Sequence, residues 1–214
     1  IRDLATAGEE DQVAFADGRT VDKAAVTDDG RIVGVGADIE DDTIKPGAYI
    51  YEDGEWRVLG SPIEASYLND VAVEGELVVI VGSAEDGSPA VWRGEMPDPV
   101  WREEELPGEG TSMANAVAIR GTTVVAAGMS LVDDTLAPAT FASVDGGEWT
   151  ETRHGEQGSL FAIALNSIGF VVGGTDGEQP LLISSTDGIT WNDPTPVDSP
   201  SGAIDLLATH NDNL

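Results

Sequence analysis

The chain has 214 residues, with 40 acidic against ten basic side chains, a formal net charge of −30 and no cysteine. The missing sulfur excludes disulfide frameworks, thiolate zinc sites, iron–sulfur clusters and cysteine nucleophiles, and the charge repels phosphate backbones and anionic lipid, so no nucleic acid partner is expected. No apolar run approaches the roughly eighteen residues of a membrane helix, so no membrane insertion is expected of these residues. With 41% hydrophobic residues arriving in short regular bursts, the sequence reads as folded, with acids dispersed over a solvated, halophile-like surface that suits an extracellular or cell-surface protein.

Residues 1–22 read as part of a unit: a strand over 1–7 running into Gly8, then a hairpin around Asp17-Gly18. The first complete unit opens with a strand A at Asp22-Lys23-Ala24-Ala25-Val26 and turns at Asp28-Asp29-Gly30. A β-branched strand B then runs into Gly36, a polar loop leads to Pro46, and a C–D hairpin forms around Asp53-Gly54. The second unit repeats this order: Asn69-Asp70-Val71-Ala72-Val73, Gly82, Pro89 and Arg93-Gly94. The third has Asn115-Ala116-Val117-Ala118-Ile119, Gly128, Pro138 and Asp145-Gly146, and the fourth Phe161-Ala162-Ile163-Ala164-Leu165, Gly174, Pro180 and Asp187-Gly188. A fifth strand A spans 203–208, with a turn at Asp212-Asn213. The glycines that end strand B, at 36, 82, 128 and 174, are 46 residues apart each time, which marks one structural unit used repeatedly.

Four short antiparallel strands in such a period describe a propeller blade. The expected fold is therefore all-β, a five-bladed β-propeller forming a single domain over 1–214. Its four-stranded antiparallel blades cover about 23–65, 66–110, 111–157 and 158–202. The closing blade is shared by the N- and C-terminal segments, 203–214 joined with 1–22, which pairs edges otherwise left open. Twenty-six glycines and eleven prolines interrupt every window long enough for a helix. Gly34-Val35-Gly36 lacks the third glycine and the helix of a dinucleotide loop.

The hairpins Ser185-Thr186-Asp187-Gly188-Ile189-Thr190-Trp191 and Ser143-Val144-Asp145-Gly146-Gly147-Glu148-Trp149 resemble the Asp-box of the bacterial neuraminidase repeat, slightly shortened, and Tyr51-Glu52-Asp53-Gly54-Glu55-Trp56 is a weaker copy. The resemblance implies a propeller in which each Asp satisfies turn amides and Trp56, Trp101, Trp149 and Trp191 pack between strands. Sialidases with this repeat grip a carboxylate with three arginines at the channel mouth. Here none of the eight arginines starts a strand A, so sialidase activity does not carry over.

In a propeller the starts of strand A line the central channel. Alignment puts Asp22, Asn69, Asn115, Phe161 and Asp205 there, a mostly polar ring that forms the candidate ligand site. Five-bladed glycosidases of the arabinanase type use three carboxylates at this end. Asp22 and Asp205 supply a possible catalytic pair, whereas Asp70 is one residue out of phase and is expected on the other face of its strand. Trp92 breaks the repeat at a position otherwise held by small or polar residues. It reads either as an exposed indole that stacks on a sugar or anchors a partner, or as packing against Pro97 and Pro99.

The loops between strands B and C are rich in acids. The pairs Asp41-Asp42 and Asp133-Asp134 sit in matching long loops 92 residues apart and are the residues to consider for calcium, though no Asp-x-Asp-x-Asp-Gly pattern is present. No other cofactor is expected. His154 and His210 read as isolated and solvated. The leading expectation is a non-enzymatic propeller that binds a protein or glycan partner through its acidic face or channel. The alternatives are a glycoside hydrolase or lyase acting at the channel, and a structural or assembly module.

Overall fold

The structure, a computed structural model, describes residues 13–14, 19–40, 43–61, 63–107, 112–195, 197, 199 and 201–208. Among them there is no helix; sixteen strands form four sheets, and every pairing is antiparallel. The first sheet runs β1 (Val13–Ala14), β2 (Thr20–Val26), β3 (Ile32–Glu40), β4 (Thr43–Glu52), β5 (Glu55–Val58). The second runs β6 (Ala65–Glu74), β7 (Leu77–Ala84), β8 (Pro89–Glu95), β9 (Arg102–Glu105). The third is β10 (Met113–Arg120), β11 (Thr123–Val132), β12 (Thr135–Val144), β13 (Thr150–Arg153), and the fourth β14 (Ser159–Leu165), β15 (Phe170–Thr175), β16 (Pro180–Ser185).

The 46-residue glycine period has a steric cause. In each sheet the opening strand carries a bulge at the same place. Val21 pairs with Gly36 and Lys23 with Val35, leaving Asp22 over; Asn69, Asn115 and Phe161 are left over in the same way. The bulge presses the carbonyl two residues earlier onto the facing glycine. A Cβ on Gly36, Gly82, Gly128 or Gly174 would overlap the carbonyl oxygen of Thr20, Tyr67, Met113 or Ser159, so no side chain fits at these four positions.

The core lies between sheets. Val33, Val35, Ala48, Ile50 and Leu59 of the first sheet region pack on Leu68, Val71, Ile80 and Trp92 of the second. Val79, Val81 and Val91 pack on Ala114, Val117, Ile119 and Phe141, and Ala127 and Val125 meet Leu160 and Phe170 of the fourth. The opening strands β2, β6, β10 and β14 lie against one another in succession, as the spokes of a wheel meet at its hub.

Several expectations are corrected. The long polar loops after strand B are long hairpins. Val132 pairs with Thr135, and Asp133 and Asp134 are the two turn residues, with φ of 46° and 63°. A two-residue turn with positive φ at both positions matches the twist of the flanking strands, and aspartate tolerates it. The pairing of Glu40 with Thr43 leaves the same two-residue gap in the first sheet; Asp41 and Asp42 themselves lie outside the described residues. Arg93-Gly94 lies inside β8 and not in a turn.

The fourth sheet has three strands where four were expected. Residues 191–195 meet β16 only through isolated bridges, Ser185 with Trp191 and Leu182 with Thr195, which are out of register with each other by one residue, so no continuous ladder forms.

Only part of the expected closing blade lies within the described residues. Residues 203–208 form no strand, and Val13–Ala14 pairs with β2 of the first sheet. With only five residues between Ala14 and Thr20, an antiparallel neighbour is the short connection. Residues 1–12, 17–18 and 212–213, which carry the rest of that expectation, lie outside the described residues. Ile204 nevertheless donates its N–H to the Gly174 carbonyl at 3.0 Å, and a Cβ on Gly173 would run into the side chains of Ile204 and Leu207.

Candidate functional site at the hub

The bulge residues meet where the sheets converge, and the sequence ring divides there into two kinds. Asn69 Nδ2 donates to the Ala114 carbonyl at 2.7 Å, and Asn115 Nδ2 donates to the Leu160 carbonyl at 2.8 Å and to Ser159 Oγ at 3.2 Å. Each amide thus joins its sheet to the next, so the Nδ2 groups of Asn69 and Asn115 are engaged by the fold. Asp22 occupies the same slot in the first sheet, but a carboxylate has no proton to donate to a carbonyl, and its Oδ1 is buried with no hydrogen-bond partner. Phe161, the fourth member, makes no such link either, and its side chain is 36% exposed. Asp205 is exposed in the irregular 203–208 segment.

Asp70, assigned by its phase to the far face of its strand, lies in the junction. Its Oδ2 accepts the Val117 N–H of the third sheet at 2.9 Å. Burial pushes its carboxyl up to about 6, against the pull of the Val117 and Val71 amides and of the Lys23 charge. Sequence reasoning passed over it, although one signal was available: the place held by Asp70 is filled by Lys23, Ala116 and Ala162 in the other sheets. Farther along the same strands, Glu74 Oε1 accepts the Gly121 N–H at 2.8 Å, and Arg120 donates to the Ile168 and Ser167 carbonyls at 2.8 and 3.2 Å. Each reaches into the next sheet's first turn.

The remaining candidates leave the site. Trp92 is 2% exposed and fills the core between the first two sheets, where small facing residues such as Ala48 and Val33 leave room for an indole. Its Nε1 donates to Glu103 at 3.3 Å. The expected exposed platform is therefore absent there. Among the described residues no three His, Asp or Glu side chains come together to hold a metal. Asp133 and Asp134 are exposed turn residues whose conformation the hairpin explains.

His154 is half-buried, not solvated: its Nε2 lies 2.8 Å from Thr140 Oγ1 and its ring meets Trp191 edge-on at 5.3 Å. Burial lowers its pKa to about 4. At the outer end of the second junction, Trp149 Nε1 donates to Glu104 Oε2 at 2.8 Å, and Arg93 lies 3.4 Å from Glu104 and 5.9 Å from the Trp149 ring centre. In the Ser185 hairpin, Asp187 Oδ1 accepts the Thr190 and Ile189 amides at 2.7 and 2.8 Å, which hold its carboxyl below the usual range.

No protein-family model matches the chain, and no curated protein matches it by sequence. Solved structures do match. The α-L-arabinanase of Penicillium chrysogenum, solved with arabinobiose, superposes with a TM-score of 0.53 at 10% identity, over 88% of this chain and 70% of that one. The fold is a β-propeller. The sialidase of Trypanosoma rangeli, solved with 2,3-difluorosialic acid, gives a TM-score of 0.53 at 13% identity, covering 85% of this propeller and 38% of the sialidase chain. At such identities the likeness is one of architecture. Among the described residues no helix is long and apolar enough to cross a membrane.

Proposed function

We propose that this propeller acts on a glycan at the mouth of its central channel and cleaves a glycosidic bond there, with Asp70 as the acid and Asp22 as the partner carboxylate. The observation that carries the reading is the contrast between these two groups. Asp70 is held protonated to about pH 6 by burial, while Asp22, at the neighbouring sheet's bulge, keeps a carboxylate oxygen that no protein donor uses. Glycoside cleavage requires two carboxyl groups: one protonates the departing oxygen, and the other activates water or attacks the sugar carbon. The propeller neighbours solved with sugar ligands support the same substrate class. An acidic, lysine-poor surface suits action outside the cell.

The five-bladed ring, its closing blade from 203–214 and 1–22, and the Asp-box assignment of the hairpins belong to this proposal as well. Ile204 and Leu207 over Gly173 support the closure. They take the places that Leu160 and Ile163 hold one unit earlier.

The test is release of reducing ends from linear arabinan, arabino-oligosaccharides and sialyllactose, with rate measured against pH. Turnover is expected to fall above about pH 6 as Asp70 ionises, and to be lost in Asp70→Asn and Asp22→Asn. Turnover that survives both substitutions overturns the assignment. A second reading, glycan binding without cleavage, is favoured by one observation: among the described residues no three His, Asp or Glu side chains come together. Saturable binding of these sugars with no product would establish it.

A further inference from the structure

We propose that Phe161 is the platform on which the bound sugar ring stacks, and that it decides which glycan the channel accepts. The inference rests on the glycan reading above and deepens it.

The argument begins with what the fold asks of this slot. A bulge residue is left out of the ladder, so its side chain is free for other work. In the second and third sheets that work is structural, since Asn69 and Asn115 each donate to the following sheet's backbone. Phenylalanine can make no such bond. Nor is Phe161 sunk into the core in exchange: it is 36% exposed, while its neighbours Leu160 and Ala162 are 0% and 6% exposed. The fold thus gives up a junction hydrogen bond in the fourth sheet and leaves an aromatic ring in water at the hub.

Such a ring has a chemical match in a sugar. One face of a pyranose or furanose presents C–H groups that pack on an aromatic face, while its rim of hydroxyls needs acceptors and donors nearby. Beside the fourth sheet, residues 203–208 dock through the Ile204 N–H, and Asp205 in that segment is exposed. An exposed apolar face on so acidic a chain fits a neutral or weakly charged sugar. It disfavours an acidic one, because the net charge of −30 repels a sugar carboxylate. Phe161 therefore positions and selects, whereas Asp22 and Asp70 carry the chemistry.

Three variants test this: Phe161→Ala, Phe161→Asn and Phe161→Trp, each measured for melting temperature, for KM and kcat on arabino-oligosaccharides, and for binding of the same sugars by calorimetry. Phe161→Ala and Phe161→Asn are expected to melt within a few degrees of the wild type and to raise KM or Kd at least tenfold, with kcat changed much less. Phe161→Trp is expected to keep binding within about threefold, and its new indole fluorescence should change on saturation with sugar. Two results overturn the proposal while leaving the glycan reading in place: binding in Phe161→Ala within twofold of wild type, or a loss of stability large enough to mark Phe161 as a core residue. If the wild-type protein neither binds nor cleaves any of the sugars, the glycan reading fails, and the role of Phe161 fails with it.

Discussion

The junction between the second and third sheets and the junction between the first and second are built on the same backbone, yet only one of them is closed chemically. In the former, Asn69 gives its amide to the Ala114 carbonyl, Asp70 takes the Val117 N–H and Glu74 takes that of Gly121. In the latter, the slot of Asn69 holds Asp22, whose Oδ1 is buried with nothing to accept from. The difference between an amide and a carboxylate is one donor. It separates a residue serving the fold from one that the fold would be better without. A position that departs from the locally favourable residue, in a repeat whose other copies show what that residue is, is a candidate for work outside folding.

The sharpest way to break the comparison is to remove the bulge common to all junctions. Gly128→Ala puts a methyl into the Met113 carbonyl, and the expected loss is at least about 3 kcal/mol, or failure to fold, read by urea unfolding. If the protein tolerates it, the steric account of the repeat is wrong.

Next in size is an exchange of the two chemistries. Asn115→Asp should cost about 1–3 kcal/mol by setting a carboxylate against the Leu160 carbonyl, whereas Asp22→Asn should gain about 0.5–1.5 kcal/mol by restoring the donor, both read by chemical denaturation. Destabilisation by Asp22→Asn would mean that Asp22 has a structural partner after all.

The smallest expected effects are in pH dependence, and there Asp70 and His154 oppose one another. The folded pKa of Asp70 is raised to about 6, so its contribution to stability is fully present below the unfolded value near 4 and is lost as pH rises through 6. The folded pKa of His154 is lowered to about 4, so its contribution is present above the unfolded value near 6.5 and is lost as pH falls through 4. Asp70→Asn should therefore steepen the fall in melting temperature between pH 6.5 and 4 relative to wild type. His154→Gln should flatten it. Equal slopes in all three proteins would show that neither group is perturbed.

The sequence carried the architecture further than the site. The glycines at 36, 82, 128 and 174 were visible because an excluded Cβ leaves a mark in composition that a tolerant position does not. The bulge residues could be aligned for the same reason, and their alternation of Asn, Asp and Phe was already on the page. What each one touches was not, because the partners of Asn69 and Asn115 are backbone carbonyls 45 residues away, and backbone atoms are silent in a sequence. Asp70 was misplaced for a related cause: the bulge beside it shifts the inside-outside alternation by one, so a phase count across it fails.

Trp92 was read against the matching position in the other units, while the space it fills is set by the small side chains of the sheet next door. The long hairpins were hidden because successive residues on their return strands, Thr43 to Lys45 and Thr135 to Leu136, are exposed, which leaves no alternating pattern to detect there.

Those hairpins have a practical consequence. Beyond the sheets, β11 and β12 are held by their own ladder down to Val132 and Thr135, and Leu136 near the tip is already in solvent. The arm is anchored where the Leu136 carbonyl accepts the Gly158 N–H at 2.8 Å; the exposed two-residue turn lies beyond that contact. It is therefore a permissive place to insert a tag, a fluorophore site or a foreign loop, and a reporter grafted at Asp133-Asp134 would ride on the molecule without disturbing the wheel beneath it.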